Sequence, residues 1–131
     1  MSKNKTPLEG KEQEALVFRL RKEKIPFYAV PNGANVEGHH RARMKREGME
    51  NGVSDIVILK YKDALYLEMK RRKGGTWGPD QKAFKEKIED LGFQYEVAKG
   101  AKEAWEKISC WLDNLGPHVR MISVITEKQN D

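Results

Sequence analysis

The stretch from Gly52 to Lys70, GVSDIVILKYKDALYLEMK, restricts the fold more than any other part of the chain. Asp55 opens an unbroken apolar run, Ile56-Val57-Ile58-Leu59, of the kind a strand buried on both faces requires. Lys60-Tyr61-Lys62-Asp63 reads as a short polar turn and Ala64–Lys70 as a returning strand. A two- or four-residue turn fixes the register, so that Leu59 faces Ala64 and Asp55 faces Glu68. Opposed residues have Cβ atoms roughly 4.5–5.5 Å apart. Period-two alternation then puts Lys70 on the face of Glu68, about 6–7 Å further along. Two carboxylates and a lysine therefore converge at one end of a hairpin. Like charges directly opposite destabilise a sheet unless something positive lies between them, and a divalent cation with oxygen ligands meets that need. The same spacing also suits an ordinary surface ion pair, which contributes little.

The flanking elements are arranged around that hairpin. Thr6-Pro7-Leu8-Glu9 has the form of a helix start, and the helix is expected to run to about Lys24. Its inward stripe holds Leu16 and Leu20, and helical stepping adds Gln13 and Glu9 while rotating Glu12 about 60° away. Glu9 on that stripe has either a capping-box role or a functional one. Ile25–Val30 is a short strand ended by Pro31-Asn32-Gly33. The next segment carries His39, His40, Arg41, Arg43, Lys45 and Arg46, and a short basic helix is expected over His39–Glu47. It suits phosphate contact or a solvated surface. Zinc at His39 and His40 is disfavoured, because no second His/Cys pair stands at ligand spacing.

After the hairpin, Arg71, Arg72 and Lys73 lead a basic loop past Gly74-Gly75 to Trp77, which either stacks on a base or sugar or packs over the following helix. Pro79 starts that helix, with Gln81, Phe84, Ile88 and Leu91 inward and Gly92 at its end. Gln81 is the polar member of the stripe, one turn from a helix N-terminus that favours phosphate. Phe93–Ala98 is a further strand. Gly100 precedes an amphipathic helix with Ala101, Ala104, Trp105, Ile108, Trp111, Leu112 and Leu115 on its apolar stripe. Residues 116–131 form an extension in which His118–Thr126 alternates like an added strand.

At 131 residues the chain is expected to be one domain, 1–131, with a core over about 7–115. Charged residues make up 34% and the formal net charge is +5, which suits a polyanionic partner. A single cysteine, Cys110, excludes an internal disulfide and is expected to be a buried structural thiol. No apolar run approaches the roughly 18–20 residues of a membrane span, so no membrane partner and a cytoplasmic location are expected.

Asp55 followed after thirteen positions by Glu68-Met69-Lys70 resembles the PD-(D/E)XK nuclease signature. The ordered words Pro31-Asn32-Gly33, Gly52-Val53-Ser54-Asp55, Glu68–Lys70, Gly75 through Gln81 and Leu91-Gly92 resemble the VRR-NUC branch in its small stand-alone form, over roughly residues 7 to 115. Ser54 departs from the proline usual before the aspartate, a position that is not a ligand. The resemblance implies an α/β fold with a restriction-endonuclease-like core, a mixed sheet flanked by helices on both faces. It implies a hydrolase, a deoxyribonuclease that binds Mg²⁺ or Mn²⁺ through Asp55, Glu68, the Met69 backbone carbonyl and a first-helix glutamate, Glu9 rather than Glu12. Lys70 and Gln81 would complete the catalytic set, and cleavage would leave 5′-phosphate and 3′-hydroxyl ends. Asn32, the basic residues of 39–46, Arg71, Arg72, Lys73 and Trp77 would contact DNA.

Stand-alone members of that branch resemble Holliday-junction resolvases acting as homodimers, in a phage or bacterial setting of DNA repair and recombination. The alternatives are a flap, end or single-strand nuclease of the same fold, a non-catalytic basic DNA-binding module, and an RNA-cleaving toxin.

Overall fold

The computed structural model describes residues 9–30, 38–70 and 77–114. The apolar run after Asp55 becomes the second strand of a mixed sheet ordered β1-β2-β3-β4, four-stranded among the described residues. Its strands are β1 (Phe27–Ala29), β2 (Ile56–Lys60), β3 (Asp63–Lys70) and β4 (Gln94–Lys99). The helices are α1 (Glu9–Lys22), α2 (Gly38–Arg46), α3 (Pro79–Asp90) and α4 (Ala101–Asp113). β1, β2 and β3 run antiparallel, and β4 lies parallel to β3. A parallel neighbour needs a crossover, and α3 supplies it.

The hairpin has the expected register, with Leu59 opposite Ala64 and Ile56 opposite Leu67. The turn is tighter than expected. Lys60 already pairs with Asp63, and Lys62 takes a left-handed φ of 54° to close a loop of two residues. β1 is shorter than Ile25–Val30, because Lys24 leaves α1 with a left-handed φ of 58° and Pro26 has no N–H to offer a ladder.

One face of the sheet carries the aliphatic core. Leu16 and Leu20 of α1 and Ala104, Ile108 and Trp111 of α4 pack on Ile56, Ile58, Leu65, Leu67, Met69 and Ala98. Arg19 of α1 also lies over the Trp105 ring of α4, 4.3 Å from its centroid. The opposite face is aromatic and is covered by α3. Tyr66 meets Phe84 and Phe93 edge-on at 6.0 and 5.7 Å, and Tyr95 meets Phe84 and Trp77 at 6.2 Å each. At the hairpin end, Lys60 Nζ donates to the carbonyls of Trp111 and Asn114, so the turn caps the C-terminus of α4.

Four sequence expectations change. Glu12 is buried, one helical turn before Leu16 and two before Leu20, so it lies on the inward stripe rather than beside it. A core-facing stripe is over 100° wide, and the 60° offset does not take a residue off it. Leu91 is 72% exposed, because α3 stops at Asp90 and Leu91 serves as its C-cap. Cys110 is exposed, on the solvent side of α4 beside buried Trp111. The basic helix begins at Gly38 and ends at Arg46, one residue earlier at each end than expected. Leu115 and the proposed strand over His118–Thr126 lie outside the described residues. Among the described residues no helix is long and apolar enough to cross a membrane.

Candidate active site

Asp55 stands just before β2 and is held from both sides, by β3 and by Val30 just after β1. Its N–H donates to the Leu67 carbonyl at 3.0 Å, and its own carbonyl accepts from Val30 N–H at 2.8 Å. Its carboxylate Oδ2 accepts from Met69 N–H at 2.7 Å. The side chain thus replaces the backbone acceptor that β2 no longer supplies at that point of the ladder. Backbone groups of successive strand residues point to opposite neighbours. Lys70 carbonyl accepts from Gly100 N–H on the β4 side, so Met69 carbonyl points to the Asp55 side.

Glu68 and Lys70 follow on β3 in phase with Tyr66, on the face covered by α3. They are 4% and 7% exposed, which marks both as groups that need partners. Lys70 Nζ lies 3.4 Å from Glu68 Oε2. Gln81 completes the arrangement. Its Nε2 donates to Glu68 Oε2 at 2.7 Å, and its Oε1 accepts from Lys70 Nζ at 3.1 Å and from Gly78 N–H at 3.0 Å. With donors on one side and a carboxylate on the other, the amide has one workable orientation. Gln81 caps the start of α3 and at the same time braces the acid–lysine pair.

Loop 51–54 fixes where α3 sits relative to Asp55. Gly52 has φ +78°, and a Cβ there would stand 2.3 Å from Asp80 carbonyl oxygen and 2.8 Å from Gln81 nitrogen. Only glycine lets that loop lie against the N-terminus of α3. Together these pieces wall a cavity of about 360 Å³, lined among others by Asp55, Glu68, Lys70 and Gln81, with Arg41 of α2 contributing.

Asp55, Glu68, Lys70 and Gln81 are therefore brought together, with the Met69 backbone beside them. Glu9 begins α1, but its side chain is outside the described set. Asn32, Arg71, Arg72 and Lys73 lie outside the described residues. His39 and His40 are exposed on α2 with ring centroids 4.1 Å apart. Arg43 is paired with Glu47 at 3.2 Å, and Lys45 and Arg46 are exposed. Trp77 is half-buried and covers Lys70, whose Nζ is 5.9 Å from the ring centroid.

The sequence reading misplaced one residue and missed another. Glu12 Oε1 accepts from Ala101 N–H at 2.7 Å, tying α1 to the N-terminus of α4. Tyr95 is 4% exposed, and its hydroxyl has no hydrogen-bond partner among the described residues. Burial pushes its phenol well above the ordinary tyrosine range, and the negative charges of Glu68 and Asp55 push it further. Its position in phase with Val97, opposite Glu68 in the β3–β4 ladder, was the available signal.

As a donor set, Asp55 and Glu68 offer hard carboxylate oxygens. Among the described residues no three His, Cys, Asp or Glu side chains form a metal-binding group. Carboxylate oxygens are the ligand type that Mg²⁺ or Mn²⁺ takes, and Mg²⁺ is commonly held by one or two carboxylates with water in its other positions.

No family model matches the chain, and no curated protein does. Solved structures do. One described as a VRR_NUC domain protein superposes with a TM-score of 0.67 at 21% identity, covering 81% of this chain and 88% of that one. Another, described as a VRR_NUC domain, gives a TM-score of 0.56 at 18% identity, covering 77% of this chain and 94% of that one. At these identities the likeness is one of fold, and the mixed four-stranded sheet between α1/α4 and α3 is the fold of the VRR_NUC domain.

Proposed function

We propose that the protein is a divalent-metal-dependent DNA endonuclease that cuts phosphodiester bonds in branched DNA and resolves four-way junctions as a homodimer. The observation that carries this reading is the convergence of Asp55, Glu68, Lys70 and Gln81 on one cavity, on the fold of the VRR_NUC domain. A structural ion pair would be complete with Glu68 and Lys70 alone. Here a third residue from another element bonds both, and a second carboxylate lines the same wall.

Asp55 and Glu68 would hold Mg²⁺ or Mn²⁺ with the Met69 carbonyl and Glu9 of α1. When bound, such an ion makes water more acidic and neutralises phosphate charge. Lys70 spends one proton on Gln81 and faces Glu68 with another. The third is left to orient the attacking water or to stabilise a phosphate oxygen as charge develops. Gln81 keeps Lys70 and Glu68 at fixed separation, and burial excludes competing water from both.

The test is cleavage of labelled four-way junction, flap and linear duplex DNA in Mg²⁺ and in Mn²⁺. Cutting of the junction, its loss in EDTA, and its loss in Asp55→Asn and in Lys70→Ala are expected. Equal cutting of all three substrates would refute junction selectivity, and cleavage that survives both substitutions would refute the site.

A further inference from the structure

A second groove lies on the other side of Trp77. It has a volume of about 600 Å³ and is lined by Lys82 and Lys85 of α3 and Val97 and Lys99 of β4. Trp77 and Lys70 line it too, and Lys70 also lines the Asp55 cavity. The two spaces are therefore neighbours that share one wall.

The groove combines two chemistries. Lys82 and Lys99 are exposed, and neither forms an ion pair among the described residues. Lys85 is tied to Glu89 at 2.8 Å, and Glu86 is an acidic residue of the lining. The cations still exceed the acids. Apolar surface is present as well, from Val97 and from the half-buried indole of Trp77, which is braced edge-on by Tyr95 at 6.2 Å. Lysines alone would suit any polyanion. Lysines beside a braced indole suit a strand whose bases are free to stack.

We infer that this groove binds the backbone of an unpaired nucleic-acid strand continuing from the Asp55 cavity, with a base on Trp77 and phosphates on Lys82 and Lys99. The inference rests on the nuclease reading for its direction of travel, but its test is independent of cleavage. A paired duplex keeps its bases stacked inside and offers the groove phosphates only, so unpaired strand is the preferred occupant.

The experiment measures binding of a labelled single-stranded oligonucleotide to the full chain in EDTA across a salt series, with a matched duplex alongside. Each lysine that neutralises a phosphate contributes about 0.7 to the log–log salt slope on single strands. The slope is expected to fall by about 1.4 in Lys82→Ala/Lys99→Ala. Lys22→Ala, at the far end of α1, is expected to leave it unchanged. Oligonucleotide binding is expected to quench tryptophan fluorescence in wild type, and the quench is expected to be lost in Trp77→Phe.

An unchanged slope in the double variant, with its circular dichroism intact, overturns the inference. So does a quench as deep with the matched duplex as with the single strand, and so does a quench that survives Trp77→Phe. If wild type cuts DNA while the slope is unaffected, the groove fails and the nuclease stands. If the slope falls as expected but no metal supports cutting, the nuclease reading fails and the groove stands.

Discussion

Gln81 carries more of the proposed site's geometry than either charged partner. Its amide bonds Glu68, Lys70 and Gly78 together, because it offers a donor to the carboxylate and an acceptor to the two N–H groups. Gln81→Glu keeps the size and the contact with Lys70, but replaces the donor with an oxygen 2.7 Å from Glu68 Oε2. Two buried carboxyls at that distance force one to hold a proton. Cleavage is expected to fall by about 10–100-fold, the usual range for residues that orient a ligand set, with unchanged circular dichroism. A variant that cuts at the wild-type rate would remove Gln81 from the site. Tyr95 makes a different prediction. Its phenol titrates higher in the folded protein than in the unfolded chain, so the folded state keeps the proton longer. Below the ordinary tyrosine value, about 10, its contribution to stability is fully present. It is lost as pH rises from there toward the folded value. Urea melts from pH 8 to 11 are expected to show stability declining more steeply in wild type than in Tyr95→Phe. Parallel decline in the two proteins would contradict the burial of that hydroxyl beside Glu68.

The contact between loop 51–54 and α3 decides whether the site's halves stay together, because Asp55 follows one and Gln81 begins the other. Gly52→Ala imposes both a left-handed φ and a methyl driven into the Asp80 carbonyl. A cost on the order of 1–3 kcal/mol is expected from the strain alone, seen as a lower urea midpoint at unchanged slope. Cleavage is expected to fall beyond what the loss of folded protein explains. Gly48→Ala is the control, since Gly48 also has positive φ, +112°, but no atom stands within 4 Å of its Cβ position. It should lose some stability and keep its activity. If both variants behave alike, the loop contact does not position the site. The same elements show what the sequence made legible. Strand period and a short turn of even length leave little freedom, so the pairing of residues 56–59 with 64–67 could be read directly, and with it the convergence of Asp55 and Glu68 on one cavity; the extra pair Lys60–Asp63 could not. Helical stripes are wider and were read less well: Glu12 is inside and Leu91 outside. Tyr95 was hidden because a tyrosine in an apolar strand looks like ordinary core. Lys82 and Lys99 were hidden because they meet only when α3 folds over β4.

Across the whole molecule the positive charge is unevenly used. The exposed cations of α2 flank one side of the Asp55 cavity through Arg41, and the lysines of α3 and β4 lie beyond Trp77 on another. The acids of the cavity are thus surrounded by surface that attracts a backbone whose charge they would otherwise repel. Among the described residues the chain brings one cluster of Asp55, Glu68 and Lys70, and under the proposed function one cluster would make one cut. A four-way junction has two-fold symmetry and needs two equivalent cuts, which a C2 dimer supplies and a monomer does not. The proposed homodimer therefore predicts how the products depend on protein concentration. On a supercoiled plasmid with an extruded cruciform, paired cuts within one binding event give linear DNA. A single cut relaxes the plasmid, reabsorbs the cruciform and removes the substrate. Linear product is expected to dominate where sedimentation shows a dimer, and nicked circle to take its place as dilution yields monomer. Mixing wild type with excess Asp55→Asn should shift linear to nicked product through heterodimers at constant total protein. A linear fraction that ignores both dilution and mixing would mean that each chain completes its work alone, and the dimer would fall out of the mechanism.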